Sequence, residues 1–88
     1  MSRHYVYILE CSDKTLYTGC TNNIEKRIQE HNSGKAGAKY TRARRPAKVV
    51  YIETCPGLSD ALKRESLIKQ LSRKQKLSLI EIKAGSKS

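Results

Sequence analysis

Tyr5-Val6-Tyr7-Ile8-Leu9, then Ser12-Asp13-Lys14, then Leu16-Tyr17-Thr18-Gly19 is the stretch that decides the fold. The two flanking runs are short, aromatic and β-branched, and the segment between them supplies turn chemistry, so the reading is a β-hairpin. Directly after it, Thr21-Asn22-Asn23 can cap a helix that runs through Ile24, Arg27, Ile28 and His31. Arg27 and His31 stand four residues apart and project from one face of that helix. Asn32-Ser33-Gly34 ends it with a favoured C-terminal signal. Tyrosine, arginine and histidine converging near a strand end make a site suited to handling a phosphate.

The chain beyond this unit reads as a loop, a strand and two helices. Residues 35–48 carry six basic side chains and no acidic one, with glycine and proline among them, which predicts a solvated loop. Ala47 to Thr54 is β-branched and bounded by Pro46 and Pro56-Gly57, a third strand. Leu58 to Leu71 reads as a helix that Ser59 or Asp60 can cap, with an apolar stripe of Leu58, Ala61, Leu62, Ile68 and Leu71. Glu65 lies inside that stripe, where a carboxylate costs free energy unless it is paired or holds a cation. Ser72-Arg73-Lys74-Gln75 opens a last helix through Leu77, Leu79, Ile80 and Ile82. The order β-β-α-β-α-α with an initial antiparallel hairpin predicts an α+β domain of two layers.

At 88 residues the chain suffices for one domain, residues 1–88, with a core over about 4–82 and a frayed tail at 83–88. There is no Trp and no Phe, so the five tyrosines are the only aromatics, and buried ones must find partners for their hydroxyls. Eighteen Lys and Arg against eight Asp and Glu leave a formal net charge of +10, which favours a polyanion: nucleic acid first, an anionic membrane second. No apolar run approaches the ~18–20 residues of a membrane span and no signal-peptide core is present, so a cytoplasmic chain without a membrane partner is expected. Cys11, Cys20 and Cys55 match no zinc framework, and free thiols are expected. Cys20 adjoins the site, yet nothing in the sequence supplies a base dedicated to it.

With these residues in view, the sequence resembles the GIY-YIG nuclease superfamily. Tyr5-Val6-Tyr7 stands where that family has its first motif and Tyr17-Thr18-Gly19 where it has its second. The family's helical arginine and histidine match Arg27 and His31, and its helical glutamate matches Glu65. The resemblance covers about residues 4–82 and is closest to small stand-alone bacterial members. It implies a small three-stranded antiparallel sheet flanked by helices. It also implies a metal-dependent endonuclease, with Tyr7, Tyr17, Arg27, His31 and Glu65 as catalytic residues and one Mg²⁺ or Mn²⁺ ion on Glu65. Tyr7 and Tyr17 would supply hydroxyls, one of them as general base, and the sequence does not say which. Gly19 is a structural requirement for close approach. The chain departs from the family pattern in having Tyr5, Val6 and Thr18 within the motifs, Cys20 near a common lysine position, and no asparagine after Asn32.

Arg27 suits a scissile phosphate because a guanidinium offers two donors in one plane, which lysine does not. The expected partner is nucleic acid, DNA in the first instance. Lys26, Lys35, Lys39, Arg42, Arg44, Arg45, Lys69, Arg73 and Lys74 are expected to carry its backbone. The protein is expected to be a monomer, with a protein partner for targeting left open. The rival class is a nucleic-acid-binding module of the same fold with weak or no catalysis, and a basic protein-interaction domain is the third. The complete set of Tyr7, Tyr17, Arg27, His31 and Glu65 discriminates, because a pure binder has no use for a carboxylate facing a polyanion.

Overall fold

Three strands and three helices follow one another as β1 (His4–Glu10), β2 (Leu16–Thr21), α1 (Ile24–Ser33), β3 (Lys48–Cys55), α2 (Leu58–Lys69) and α3 (Arg73–Gly85). They belong to a computed structural model that describes residues 3–33 and 46–85. The order is the α+β order expected from the sequence. Among the described residues, no helix is long and apolar enough to cross a membrane.

The hairpin turn is built by its own side chains. Asp13 Oδ1 accepts from the Thr15 amide at 3.1 Å and from the Thr15 hydroxyl at 2.5 Å. The Lys14 amide donates to the Cys11 carbonyl, and the Cys11 amide to the Thr15 carbonyl, both at 2.9 Å. Lys14 reverses the chain at φ 71°, in the left-handed region that favours glycine.

The sheet has the order β2-β1-β3, with both pairs antiparallel, so β1 is central and β2 and β3 are its edges. Val6, Tyr7, Ile8 and Leu9 of β1 are all buried. Val6 and Ile8 pack with Tyr51, Cys55, Ala61 and Ile68 on one face, while Tyr7 and Leu9 pack with Cys11, Ala47, Tyr17 and Ile24 on the other. The expected two layers are therefore three: α1 covers one face of the sheet, α2 and α3 the other. The reason is legible in β1, which has no polar alternation and must be covered on both sides. A register shift at Ile8/Leu9 lets Val49 and Tyr51 face opposite layers.

Two details of α2 differ from expectation. It starts from Gly57, in extended backbone, with no side-chain cap, so neither Ser59 nor Asp60 caps it. The Pro56-Gly57 turn delivers the chain directly into the first turn, leaving both residues inside the helix. The buried seam is narrower than the predicted stripe: Ala61 and Ile68 are buried, whereas Leu58 and Leu62 are about half exposed, at 52% and 49%. Glu65 falls on that seam between Ala61 and Ile68. For α3 a capping box forms, with the Gln75 amide donating to Ser72 Oγ at 3.2 Å and the Ser72 amide to Gln75 Oε1 at 2.9 Å.

Candidate active site

The register decides which tyrosines meet. Tyr7 pairs with Gly19 and Leu9 with Tyr17, so Tyr7, Tyr17 and Gly19 lie on the α1 face of the hairpin. The helix that follows brings His31 down onto them. His31 is 1% exposed, and its Nε2 lies 3.1 Å from the Tyr7 hydroxyl. Its ring also stands edge-on to both aromatics, with centroids 6.0 Å from Tyr7 and 5.2 Å from Tyr17. Although it stands in the last turn of α1, His31 is buried rather than exposed to solvent.

Gly19 has a concrete role here. A Cβ at that position would lie 2.5 Å from Cζ of Tyr7 and closer still to its hydroxyl. The tyrosine ring therefore lies across the glycine, and the sequence requirement is for space. Asn32 completes the support from the far end of α1. Its side chain donates to the Ala47 carbonyl at 3.0 Å and accepts from the Ala47 amide at 2.9 Å, tying α1 to the start of β3. Sequence reading took Asn32 for a helix-end signal alone; a pairing fifteen residues distant leaves no local trace.

Charge enters from both layers. Arg27, on α1, is 38% exposed in its side chain and pairs with Glu30 at 3.7 Å. Glu65, on α2, is 18% exposed and pairs with Lys69 at 3.3 Å. Burial, the largest cause, pushes the Tyr7 phenol well above its ordinary range; Tyr17 adds to this, Arg27 opposes it, and Glu65 and Cys20 add smaller contributions. Burial likewise raises the Cys20 thiol, with Glu65 reinforcing and Arg27 opposing. The charges of Arg27, on α1, and Glu65, on α2, thus act on the same phenol with opposite sign. A raised thiol is a poor nucleophile, which agrees with leaving Cys20 out of the chemistry.

The remaining basic residues divide. Lys26 is exposed on α1, and Lys69 is exposed beside Glu65. Lys74 is exposed at the start of α3, and Arg73 donates to the Lys14 carbonyl at 2.7 Å. Lys35, Lys39, Arg42, Arg44 and Arg45 lie outside the described residues. A network that the sequence did not announce sits near β3. Glu53 accepts from the Tyr51 hydroxyl at 2.8 Å and from Arg64 Nε at 2.7 Å, which holds α2 on the sheet.

The sequence from 3 to 78 matches the family described as the GIY-YIG catalytic domain. The chain belongs to the GIY-YIG family. It is 68% identical over 81 residues to the UPF0213 protein of Syntrophus aciditrophicus, covering 92% of this chain and 93% of that one. To a UPF0213 protein of Staphylococcus haemolyticus it is 56% identical, covering 92% and 98%. The solution NMR structure of the UPF0213 protein from Bacillus halodurans superposes with a TM-score of 0.61 at 47% identity, covering 94% of this chain and 87% of that chain. A protein from E. faecalis, also solved by NMR, gives 0.65 at 43% identity over 93% and 86%. The fold of this GIY-YIG domain is thus a nuclease fold.

One consequence of the buried site is measurable without a substrate. Burial raises Tyr7, Tyr51, Cys20 and Cys55 in the folded chain, and Glu53 adds to the effect on Tyr51. The folded state therefore holds these protons more tightly than the unfolded state. Their contribution to stability is complete below the unfolded values, about 8.5 for thiols and about 10 for phenols, and is lost as pH rises from there. The melting temperature is expected to fall steeply above about pH 9. Tyr7→Phe removes one of these protons, so its profile should fall less steeply, from a starting stability lower by about 1–3 kcal/mol for the lost bond to His31. Parallel melting curves for the two proteins across that range would contradict this account of Tyr7.

Proposed function

We propose that this protein is a divalent-metal-dependent endonuclease that hydrolyses phosphodiester bonds in DNA. The reading rests most on one observation: a buried histidine has its Nε2 3.1 Å from the Tyr7 hydroxyl and its ring edge-on to Tyr17. A module that only binds nucleic acid needs no such buried tyrosine–histidine pair.

Glu65 is suited to Mg²⁺ or Mn²⁺. No group of three His, Cys, Asp or Glu side chains able to hold an ion occurs among the described residues. That donor set does not suit a four-ligand zinc site. A single half-buried carboxylate does suit a hard cation that keeps several waters and takes further oxygens from the substrate. When bound, such an ion supplies charge to the phosphate oxygens and acidity to water. Lys69 would have to release Glu65, and a pair with its lysine 56% exposed contributes little that opposes release.

The chain's own residues divide the remaining work. Tyr7, raised by burial, stays protonated at neutral pH, so it is a hydrogen-bond donor rather than a standing base. Its oxygen can take a proton from water only as its own proton passes to His31 Nε2, 3.1 Å away, which leaves the pair with one added proton on the imidazole. Tyr17, edge-on to the same imidazole and only half-buried, orients the ring and lies nearer solvent. Arg27 gives up a weak surface pair with Glu30 to clamp two phosphate oxygens.

Arg27→Lys tests that clamp. Charge survives the exchange but planar two-point geometry does not, so the single-turnover rate is expected to fall by about 10²–10³-fold, nearly as far as in Arg27→Ala. A lysine variant that keeps most of its rate would reduce Arg27 to a surface charge. The reading as a whole is tested by incubating the protein with single-stranded, duplex and branched DNA in Mg²⁺, Mn²⁺ or EDTA. Cleavage confined to the metal arms is expected. Binding without cleavage in every arm would favour the rival, a binding module of the same fold.

A further inference from the structure

A cleft of about 210 Å³ lies between the hairpin turn and the start of α3, lined by Thr15, Leu16, Arg73 and Lys76. Arg73 donates from Nη1 to the Lys14 carbonyl at 2.7 Å, which fixes the guanidinium and leaves its remaining donors for another acceptor. Lys76 is half-buried beside it. Among the described residues, neither cation is paired with a carboxylate. Asp13, the acid nearest in sequence, has one carboxylate oxygen occupied by the Thr15 amide and hydroxyl. The cations do not serve the helix either. They stand in its first turn with no acid there, where the backbone dipole disfavours positive charge. A bound anion would relieve both costs.

The position of the cleft identifies the anion. Leu16 lines the cleft, while Gly19 lies against Tyr7 of the tyrosine–histidine site and Cys20 follows it, and all three belong to β2, an edge of the sheet. Four residues of extended chain separate the two places by roughly 13 Å. We propose that this cleft holds a second backbone phosphate of the substrate duplex, roughly 13 Å from the phosphate being cleaved, with the duplex lying along the β2 edge. The proposal rests on the nuclease reading for the identity of the second phosphate. It adds that the enzyme measures a minimum length of duplex on one side of its cut.

The test measures binding, in EDTA so that no turnover intervenes, of labelled DNA hairpins with stems of about 3 and about 16 base pairs. On the long stem, Lys76→Ala is expected to weaken binding about five- to tenfold at about 0.1 M salt and to lower the log–log salt slope by about 0.9, the loss of one phosphate contact. On the short stem, which cannot span both places, the loss should shrink. Arg73→Lys, which keeps the charge, should lose less than Arg73→Ala, and melting curves for each variant report whether the turn is still held. An equal loss on both stems, or none on either, overturns the cleft. A hairpin of RNA with the same long stem shows whether the contact needs only phosphate, and equal dependence on Lys76 there supports it. If the wild type cuts nothing yet shows the length-dependent loss, the cleft stands and the nuclease reading falls; if it cuts while Lys76→Ala binds both stems as the wild type does, the reverse holds.

Discussion

Gly19→Ala is expected to destabilise the domain by about 1–3 kcal/mol and to lower the cleavage rate by about 10²-fold. The added Cβ would fall 2.5 Å from Cζ of Tyr7 and 3.1 Å from Cε1. A flexible side chain at a surface would swing aside at little cost. Tyr7 cannot, because it is 1% exposed, packs against Leu9, Cys11 and Ala47, and has its hydroxyl at His31. The strand must shift or the ring must leave the histidine, and either displaces the site by a large fraction of an ångström. For a domain of this size, each kcal/mol lowers the melting temperature by about 4–8 °C. Shortening the obstructing side chain separates the two effects. In the double variant Gly19→Ala/Tyr7→Leu the clash is gone, so part of the stability should return while cleavage does not. A single Gly19→Ala protein that melts and cuts like the wild type would mean that Tyr7 does not lie across this glycine.

How much of this was legible in the sequence depends on whether the determining contacts are local. The hairpin, α1 and the order of elements follow from turn chemistry, capping residues and periodicity, all within a few residues of one another. Arg27 and His31 on one helical face follow for the same reason. What the sequence withheld is what the tertiary fold determines. Whether Tyr7 and Tyr17 share a face depends on register, which pairs Tyr7 with Gly19 rather than a neighbour. Burial of His31 depends on the angle at which α1 returns to the sheet. The stripe on α2 looked wide because Leu58 and Leu62 are apolar, yet they are among the exposed leucines. Thr15 and Lys76 share a cleft although sixty-one residues part them, and no local pattern signals that.

Glu65→Gln is expected to abolish cleavage, on the order of 10³-fold or more, while leaving DNA binding intact or slightly stronger. The exchange keeps the shape of the side chain on the seam between Ala61 and Ile68, so the melting temperature should move little. What it removes is the charge that a divalent ion needs. It also removes a negative charge that a phosphate must approach, and it frees Lys69, 3.3 Å away in the wild type, to contact the substrate. Both changes favour binding, which is why catalysis and affinity should part in opposite directions. Paramagnetic broadening by Mn²⁺ gives a readout independent of turnover: resonances around Glu65 should broaden in the wild type and not in the variant. Lys69→Ala supplies the converse, since a carboxylate without its lysine should take up Mn²⁺ at lower concentration. If Glu65→Gln cuts at the wild-type rate in matched metal, the carboxylate is a partner for Lys69 and nothing more. If it loses both cleavage and binding, Glu65 acts by holding α2 in place, and the ion must be sought elsewhere.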